Sequence, residues 1–200
     1  RLIMVCIGVC GEGAERVIRQ LCKKYIDADI RAKRYTGADS YLEYMNFLKE
    51  AEENGCGAVI SEAPLKNELI KYDILIIVSS DFEGINKIRN IKEKGYLIIN
   101  ADDCGNFPYL LTDNINIITC GVKSTSSVTF SGITENRNGR ECIQCCIQRE
   151  IKTLSGRKIE PQEFSVNVIG LKYPISEVLA ITAAAIAADI EETITSDCLI

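Results

Sequence analysis

Histidine is absent from all 200 residues, so a zinc site would have to be built from cysteine and carboxylate alone. Cys142, Cys145 and Cys146 supply the only C-x-x-C, and no second pair completes a four-cysteine set. A strand with cysteines on both faces explains the same letters, and the motif does not sit at a strand-to-helix turn, where a redox pair belongs. Excess positive charge is also missing. The formal net charge of −5 leaves no electrostatic footprint for nucleic acid or an anionic membrane surface. Nor is there an apolar run of the roughly 20 residues that a membrane span needs. The longest, Leu179 to Ala188, is alanine-rich, interrupted by Thr182, and reads as a buried helix.

The chain has ample apolar material. A hydrophobic share of 46% predicts a globular protein with one sizeable core. Ten cysteines lie in strand-like company such as Val5-Cys6-Ile7 and Ile118-Thr119-Cys120, where free cysteine acts as a small hydrophobe. That usage predicts a reduced, cytoplasmic protein. The chain opens on Arg1 with no secretory signal among the residues present. The expectation is a piece of a longer or processed protein.

Hydrophobic periodicity predicts an α/β fold: a P-loop-type parallel sheet flanked by helices, with a small antiparallel β appendage in the C-terminal half. We expect a single domain over residues 1–200, with an α/β sheet layer at 1–121, antiparallel strands at 122–170 and returning helices at 171–200. Apolar runs at Leu2–Ile7, Ala58–Ile60, Ile74–Val78, Tyr96–Ile99 and Ile115–Ile118 read as strands, with a weaker one near Ala28–Tyr35. Val17, Ile18, Leu21, Cys22 and Tyr25 recur at helical spacing. Tyr41 to Glu53 reads as a helix capped by Ser40 and stopped by Gly55, and Ile85 to Lys94 as a short helix stopped by Gly95. Beyond Gly121, strands are expected at Val128–Thr134, Glu141–Thr153 and Phe164–Ile169, with turns at Arg137-Asn138-Gly139 and Ser155-Gly156. A helix follows from Pro174 to about Asp189, and a shorter one is expected near Ile190.

One loop carries the chemical interest. Gly8-Val9-Cys10-Gly11-Glu12-Gly13-Ala14-Glu15 has the glycine spacing of a phosphate-binding loop, G-x-x-x-x-G-K-[ST], with Ala14 in the lysine position and Glu15 in that of the magnesium hydroxyl. A working loop wraps backbone N–H groups round phosphate and adds a cation. Here the cation is gone, and Glu12 and Glu15 bring negative charge to the place where anions sit. The same glycines admit a dinucleotide-binding Rossmann reading, with Asp27 or Asp29 as ribose partner, although Gly8-x-x-Gly11-x-Gly13 is not G-x-G-x-x-G.

In order along the chain, these pieces resemble the central, ATP-binding domain of the Mur ligases, shared by folylpolyglutamate synthases and cyanophycin synthetases. The resemblance rests on five segments: the strand and glycine loop at Leu2–Gly13; Val59-Ile60-Ser61-Glu62-Ala63; Ile76-Ile77-Val78-Ser79-Ser80; Ile98-Ile99-Asn100-Ala101-Asp102-Asp103; and Phe164–Gly170 leading to the alanine-rich helix. It implies binding of ATP and Mg²⁺ and amide-bond formation in peptidoglycan precursor synthesis, through an acyl phosphate opened by an amine. It also implies nucleotide contacts at Gly8, Gly11, Gly13, Asn100 and Asp103, and a metal contact at Glu62. A nucleotide or cell-wall precursor is the implied partner, with ligase domains on either side.

Departures from the family pattern fall on its catalytic positions. Ala14 and Glu15 replace lysine and hydroxyl, and Glu83-Gly84 stands at the Asp-His pair. The carbamylated-lysine segment is missing, while Lys172, Tyr173 and Ser176 stand at the His-Asn and second Asn positions. Lys123 is one cation that a neighbouring loop offers in compensation. Loss of one transition-state donor costs roughly 3 kcal/mol, so the joint loss predicts weak or no ligase activity. Three readings follow: a ligase-like domain with divergent chemistry, a non-catalytic descendant binding a nucleotide or partner, and a Rossmann-like dinucleotide domain.

Overall fold

The computed structural model describes residues 4–37, 40–63, 69–79, 87–102, 114–135, 141–167, 174–190 and 198–199. Strand β1 (Val5–Cys10) runs into helix α1 (Ala14–Asp27), followed by β2 (Ala32–Tyr35), α2 (Tyr41–Glu53), β3 (Ala58–Glu62) and β4 (Tyr72–Ile77). A single 3₁₀ turn at Lys87–Asn90 leads into β5 (Ile91–Asn100), and β6 (Asn116–Cys120) follows. The C-terminal half comprises β7 (Val128–Glu135), β8 (Glu141–Ile147), β9 (Ile151–Lys152), β10 (Lys158–Ile159), β11 (Gln162–Asn167), α3 (Ile175–Ala187) and β12 (Cys198–Leu199).

Ten strands form one sheet in the order β12-β11-β8-β7-β6-β5-β4-β1-β3-β2, and β9 and β10 make a separate two-stranded ribbon. The block from β6 to β2 is parallel throughout. The antiparallel strands fall in the C-terminal half as expected: β7, β8 and β11 extend the main sheet, and β9 and β10 form the small separate antiparallel unit. The join is the parallel pair Cys120–Val128.

Alternation along the inner strands sorts the core into two faces. Ile7, Val9, Ile74, Ile76, Tyr96 and Ile98 pack with Val17, Ile18, Leu21 and Tyr25 of α1 and with the inward residues of α3. Cys6, Cys10, Val59, Leu75, Ile77, Leu97 and Ile99 lie in the opposite layer with Tyr44 and Ala51 of α2. Continuous apolar runs are what a strand covered on both faces requires. α3 is buried all round, and its alanines allow close approach to the sheet. α2 matches the predicted bounds, and the Ser40 hydroxyl accepts from Glu43 N–H at 3.4 Å.

Several expectations need correction. β1 starts at Val5 and continues through Gly8 to Cys10, so Gly8 belongs to the strand and not to the loop. Of the helix expected at Ile85 to Lys94, the described residues show only the 3₁₀ turn, while Ile91 to Glu93 are extended at the start of β5. Tertiary pairing overrides the helical spacing there: Ile91 pairs with Tyr72 on β4, Lys92 Nζ meets the Asp73 carboxylate at 2.9 Å, and Lys94 turns left-handed at φ 63°. The strand expected over Glu141–Thr153 is broken between β8 and β9. Ile190, near which the shorter helix is expected to begin, is not helical, and residues 191–197 lie outside the described residues, as do the turn at 137–139 and Glu83-Gly84.

β8 settles the cysteine pattern. Ile143, Cys145 and Ile147 point into the core shared with α1 and α3, which places Cys142, Gln144 and Cys146 on the other face. The C-x-x-C pair therefore straddles the sheet. Eight described cysteines are all free thiols.

Candidate functional site

In an open α/β sheet, ligands bind outside the carboxyl ends of parallel strands, at the point where strand order reverses. Here that point lies between β1 and β4, since the chain steps from β1 to β3 and β2 on one side and to β4, β5 and β6 on the other. Gly11–Gly13 after β1, Ser61-Glu62 at the end of β3, Ser79 after β4, Asn100–Asp102 after β5 and Gly121–Lys123 after β6 all lie at this edge. The parallel order β2-β3-β1-β4-β5-β6 is not the β3-β2-β1-β4-β5-β6 order of a Rossmann domain. Asp27 and Asp29 sit at the far end of α1, before β2 begins. That is the opposite edge of the sheet from the glycine loop, so the dinucleotide reading is set aside.

The β1–α1 loop is a tight turn. Ala14 N–H donates to the Gly11 carbonyl at 3.1 Å, and α1 starts at once, with Gly13 at its N-cap and φ 92°. Glu12 N–H donates to Ser79 Oγ at 2.9 Å, so the loops after β1 and β4 are joined across the switch point. Gly11, at φ 101°, has no room for a side chain: a Cβ would stand 2.5 Å from Ser79 Oγ and 2.9 Å from Ser79 N. Gly8 has a packing role, since a Cβ there would press on the Tyr72 ring at 3.0 Å.

Glu177 lies over Gly13. A Cβ on Gly13 would collide with Glu177 Oε1 and lie 3.0 Å from the Arg16 guanidinium. Arg16 grips the carboxylate through Nε at 3.2 and 3.1 Å and Nη2 at 2.6 Å. The Glu177 side chain is only 4% exposed and that of Arg16 50%. A carboxylate at the N-terminal end of α1 is favoured by the helix dipole as well as by its arginine. Sequence reading missed this pair. Its one signal was a lone acid in the first turn of a mostly apolar, alanine-rich helix.

The neighbouring positions are equally committed. Ala14, in the lysine position, is 3% exposed and belongs to the core between α1 and the sheet. Glu15, in the hydroxyl position, accepts both Arg34 Nη1 at 2.7 Å and Arg34 Nη2, with Arg19 further off at 3.5 Å. The Arg34 hydrogen bonds hold the Glu15 carboxyl below its ordinary range. Glu15 in turn pushes the Arg34 guanidinium up, with a smaller contribution from the charge of Glu62. Glu62 is exposed at the end of β3, and among the described residues no group of three metal-ligating side chains forms.

Asn100 and Asp102 brace the backbone. Asn100 Oδ1 accepts from Asp102 N–H at 3.0 Å, and the Asp102 carboxylate accepts from Val122 N–H at 2.7 Å and Lys123 N–H at 3.2 Å. Lys123 Nζ donates to the carbonyls of Ala101 and Asp102 at 3.3 and 3.4 Å. It is tied to this turn, not to the glycine loop. Asp103, Lys172 and Tyr173 lie outside the described residues.

No family model matches this chain, and no curated protein matches it. Solved structures do. The chain aligns with UDP-N-acetylmuramoyl-L-alanyl-D-glutamate–2,6-diaminopimelate ligase at a TM-score of 0.63 and 15% identity, over 96% of this chain and 45% of that one. MurF from Acinetobacter baumannii aligns at a TM-score of 0.60 and 11% identity, over the same two shares. The architecture is an α/β fold with a P-loop-type strand order. More narrowly, it is Mur-ligase-like, in a chain that spans less than half the length of the structures it matches.

Proposed function

We propose that this chain is a Mur-ligase-like domain with an ancestry in ATP-dependent carboxylate–amine ligation for peptidoglycan precursor synthesis, and with little or no ligase activity of its own. The observation that carries the reading is the buried Glu177 carboxylate, held by Arg16 against Gly13 at the N-terminus of α1. Phosphoryl transfer depends on positive charge and open N–H groups around the transferring oxygens. In this loop the Glu12 and Ala14 N–H groups already donate within the chain, and the nearest side-chain anion is its own.

ATP and Mg²⁺ do not fit the described residues. The lysine position is a core alanine, and the hydroxyl position is a carboxylate paired with Arg34. No step of a reaction is therefore assigned to either. What supports a binding role instead is the retained frame: the strand-end braces at Asn100 and Asp102 keep the old cleft's edge in shape without ligand. A cell-wall precursor or a partner subunit, in the cytoplasm, is the proposed occupant. No described helix is long and apolar enough to cross a membrane.

Calorimetric titration with ATP, with and without Mg²⁺, alongside an assay for ADP release, tests the reading. The expected result is no Mg²⁺-dependent ATP affinity in the micromolar range and no ADP formed. Tight, Mg²⁺-dependent binding with turnover would return the chain to the active ligases.

A further inference from the structure

Resting on that reading, we infer that the Arg16–Glu177 pair is an autoinhibitory contact: the chain's own carboxylate fills the anion position of its glycine loop and shuts phosphoryl oxygens out. The first turn of α3, where Glu177 stands, favours an acid but does not call for a buried one. Its neighbours Val178, Ala180, Ile181 and Ala184 are apolar and buried, and burying a carboxylate among them costs free energy unless a cation answers it. Arg16 answers it through both oxygens. Gly13 leaves the space that the carboxylate takes. Arg16 holds this carboxylate as it would hold a free anion, beside Gly13 at the start of α1.

Adjacent residues hold the same turn from the other side. Glu15 is bound by Arg34 from β2 while Arg16 binds Glu177 from α3, so the first turn of α1 is tied to elements on both flanks. The lock is intramolecular and is made whenever the chain is folded. A free anion must displace Glu177 from Arg16 to enter.

The test uses inorganic pyrophosphate as probe, with thermal unfolding and calorimetry at constant ionic strength. Wild-type protein is expected to show no pyrophosphate effect beyond that of matched sodium chloride. Glu177→Ala is expected to gain at least about tenfold in pyrophosphate affinity, seen also as a raised unfolding midpoint. Adding Arg16→Ala is expected to abolish the gain, and the charge-matched surface variant Glu52→Ala is expected to gain nothing. If Glu177→Ala does not fold alone, pyrophosphate is expected to restore its helical circular dichroism.

Equal pyrophosphate response in wild type and Glu177→Ala, a gain that survives Arg16→Ala, or an unfolded variant that pyrophosphate does not rescue would each overturn the lock. Turnover of ATP by the wild type would defeat the proposed function, whereas a missing contrast between wild type and Glu177→Ala defeats the lock alone.

Discussion

Arg16 and Glu177 meet at 2.6 Å across the α1–α3 interface with unequal exposure, half for the arginine and almost none for the carboxylate. The asymmetry makes the two halves of the pair unequal in mutation. Arg16→Ala leaves a buried carboxylate without its cation, a loss of about 3–5 kcal/mol. Glu177→Ala leaves an arginine that water can reach, at about 1–2 kcal/mol. Urea unfolding of the two variants checks the order. Equal costs, or the reverse order, would show that Glu177 draws its support from elsewhere.

Gly11 makes a second prediction. Its φ of 101° and the nearness of both Ser79 Oγ and Ser79 N give Gly11→Ala two independent penalties. Removing the hydroxyl with Ser79→Ala relieves only one of them. The alanine is therefore expected to cost about 1–3 kcal/mol in the wild-type background and to keep at least about 1 kcal/mol of that cost beside Ser79→Ala. A double-mutant cycle by chemical denaturation measures both figures, and complete rescue would mean that the backbone conformation is not strained by a side chain.

The Asn100-x-Asp102 segment is predicted to act on stability and not through a metal. Asp102→Ala strips an acceptor from the N–H groups of Val122 and Lys123. The expected loss is about 1–3 kcal/mol, unchanged by adding Mg²⁺. A thermal midpoint that rises with Mg²⁺ in the wild type and not in the variant would restore a metal-binding role.

These three cases show how far the letters of the chain carried. The inner strands were legible because a strand buried on both faces must be continuously apolar, and Ile74–Ile77 or Tyr96–Ile99 permit little else. The loop was legible as a strand-to-helix turn, since Gly11 and Gly13 both take positive φ. Its state was not. Glu177 lies 161 residues from Arg16, and no local pattern tells an acid that completes a distant helix terminus from one that faces solvent. Ile91 failed for a related reason: its helical spacing from Ile88 is real, but pairing with Tyr72 decides its conformation.

Cys145 gives the protein a specific alkaline weakness. Burial pushes its thiol up from 9.0 to about 12, so the folded state holds a proton that the unfolded chain releases earlier. The contribution is fully present below pH 9 and is lost as pH rises toward 12, at up to about 1.4 kcal/mol per pH unit for this one group. Cys145→Ala is expected to be less stable at pH 7 but to lose less between pH 9 and 11. Denaturation midpoints across that range test it, and parallel curves would show that other groups set the slope. Alkylation of the native protein is expected to reach partly buried Cys22 well before fully buried Cys145.

Restoring the missing lysine is expected to fail. Ala14 looks like a deletion of chemistry that one substitution could reverse, since the glycines on either side of Glu12 are intact. The fold says otherwise. Ala14 is 3% exposed and packs into the core with Val17 and Ile18, so a lysine there must either bury its ammonium or force the first turn of α1 apart. Overpacking alone costs about 1–3 kcal/mol, and the desolvated charge adds to it. Ala14→Lys is therefore expected to lower the unfolding midpoint and to produce no ADP from ATP, with or without Glu15→Thr. If the lysine variant instead kept its stability and hydrolysed ATP, the loop would have to open far more readily than its hydrogen bonds to Ser79 and Gly11 allow. As the structure stands, Ala14 occupies core space that a lysine side chain could not share.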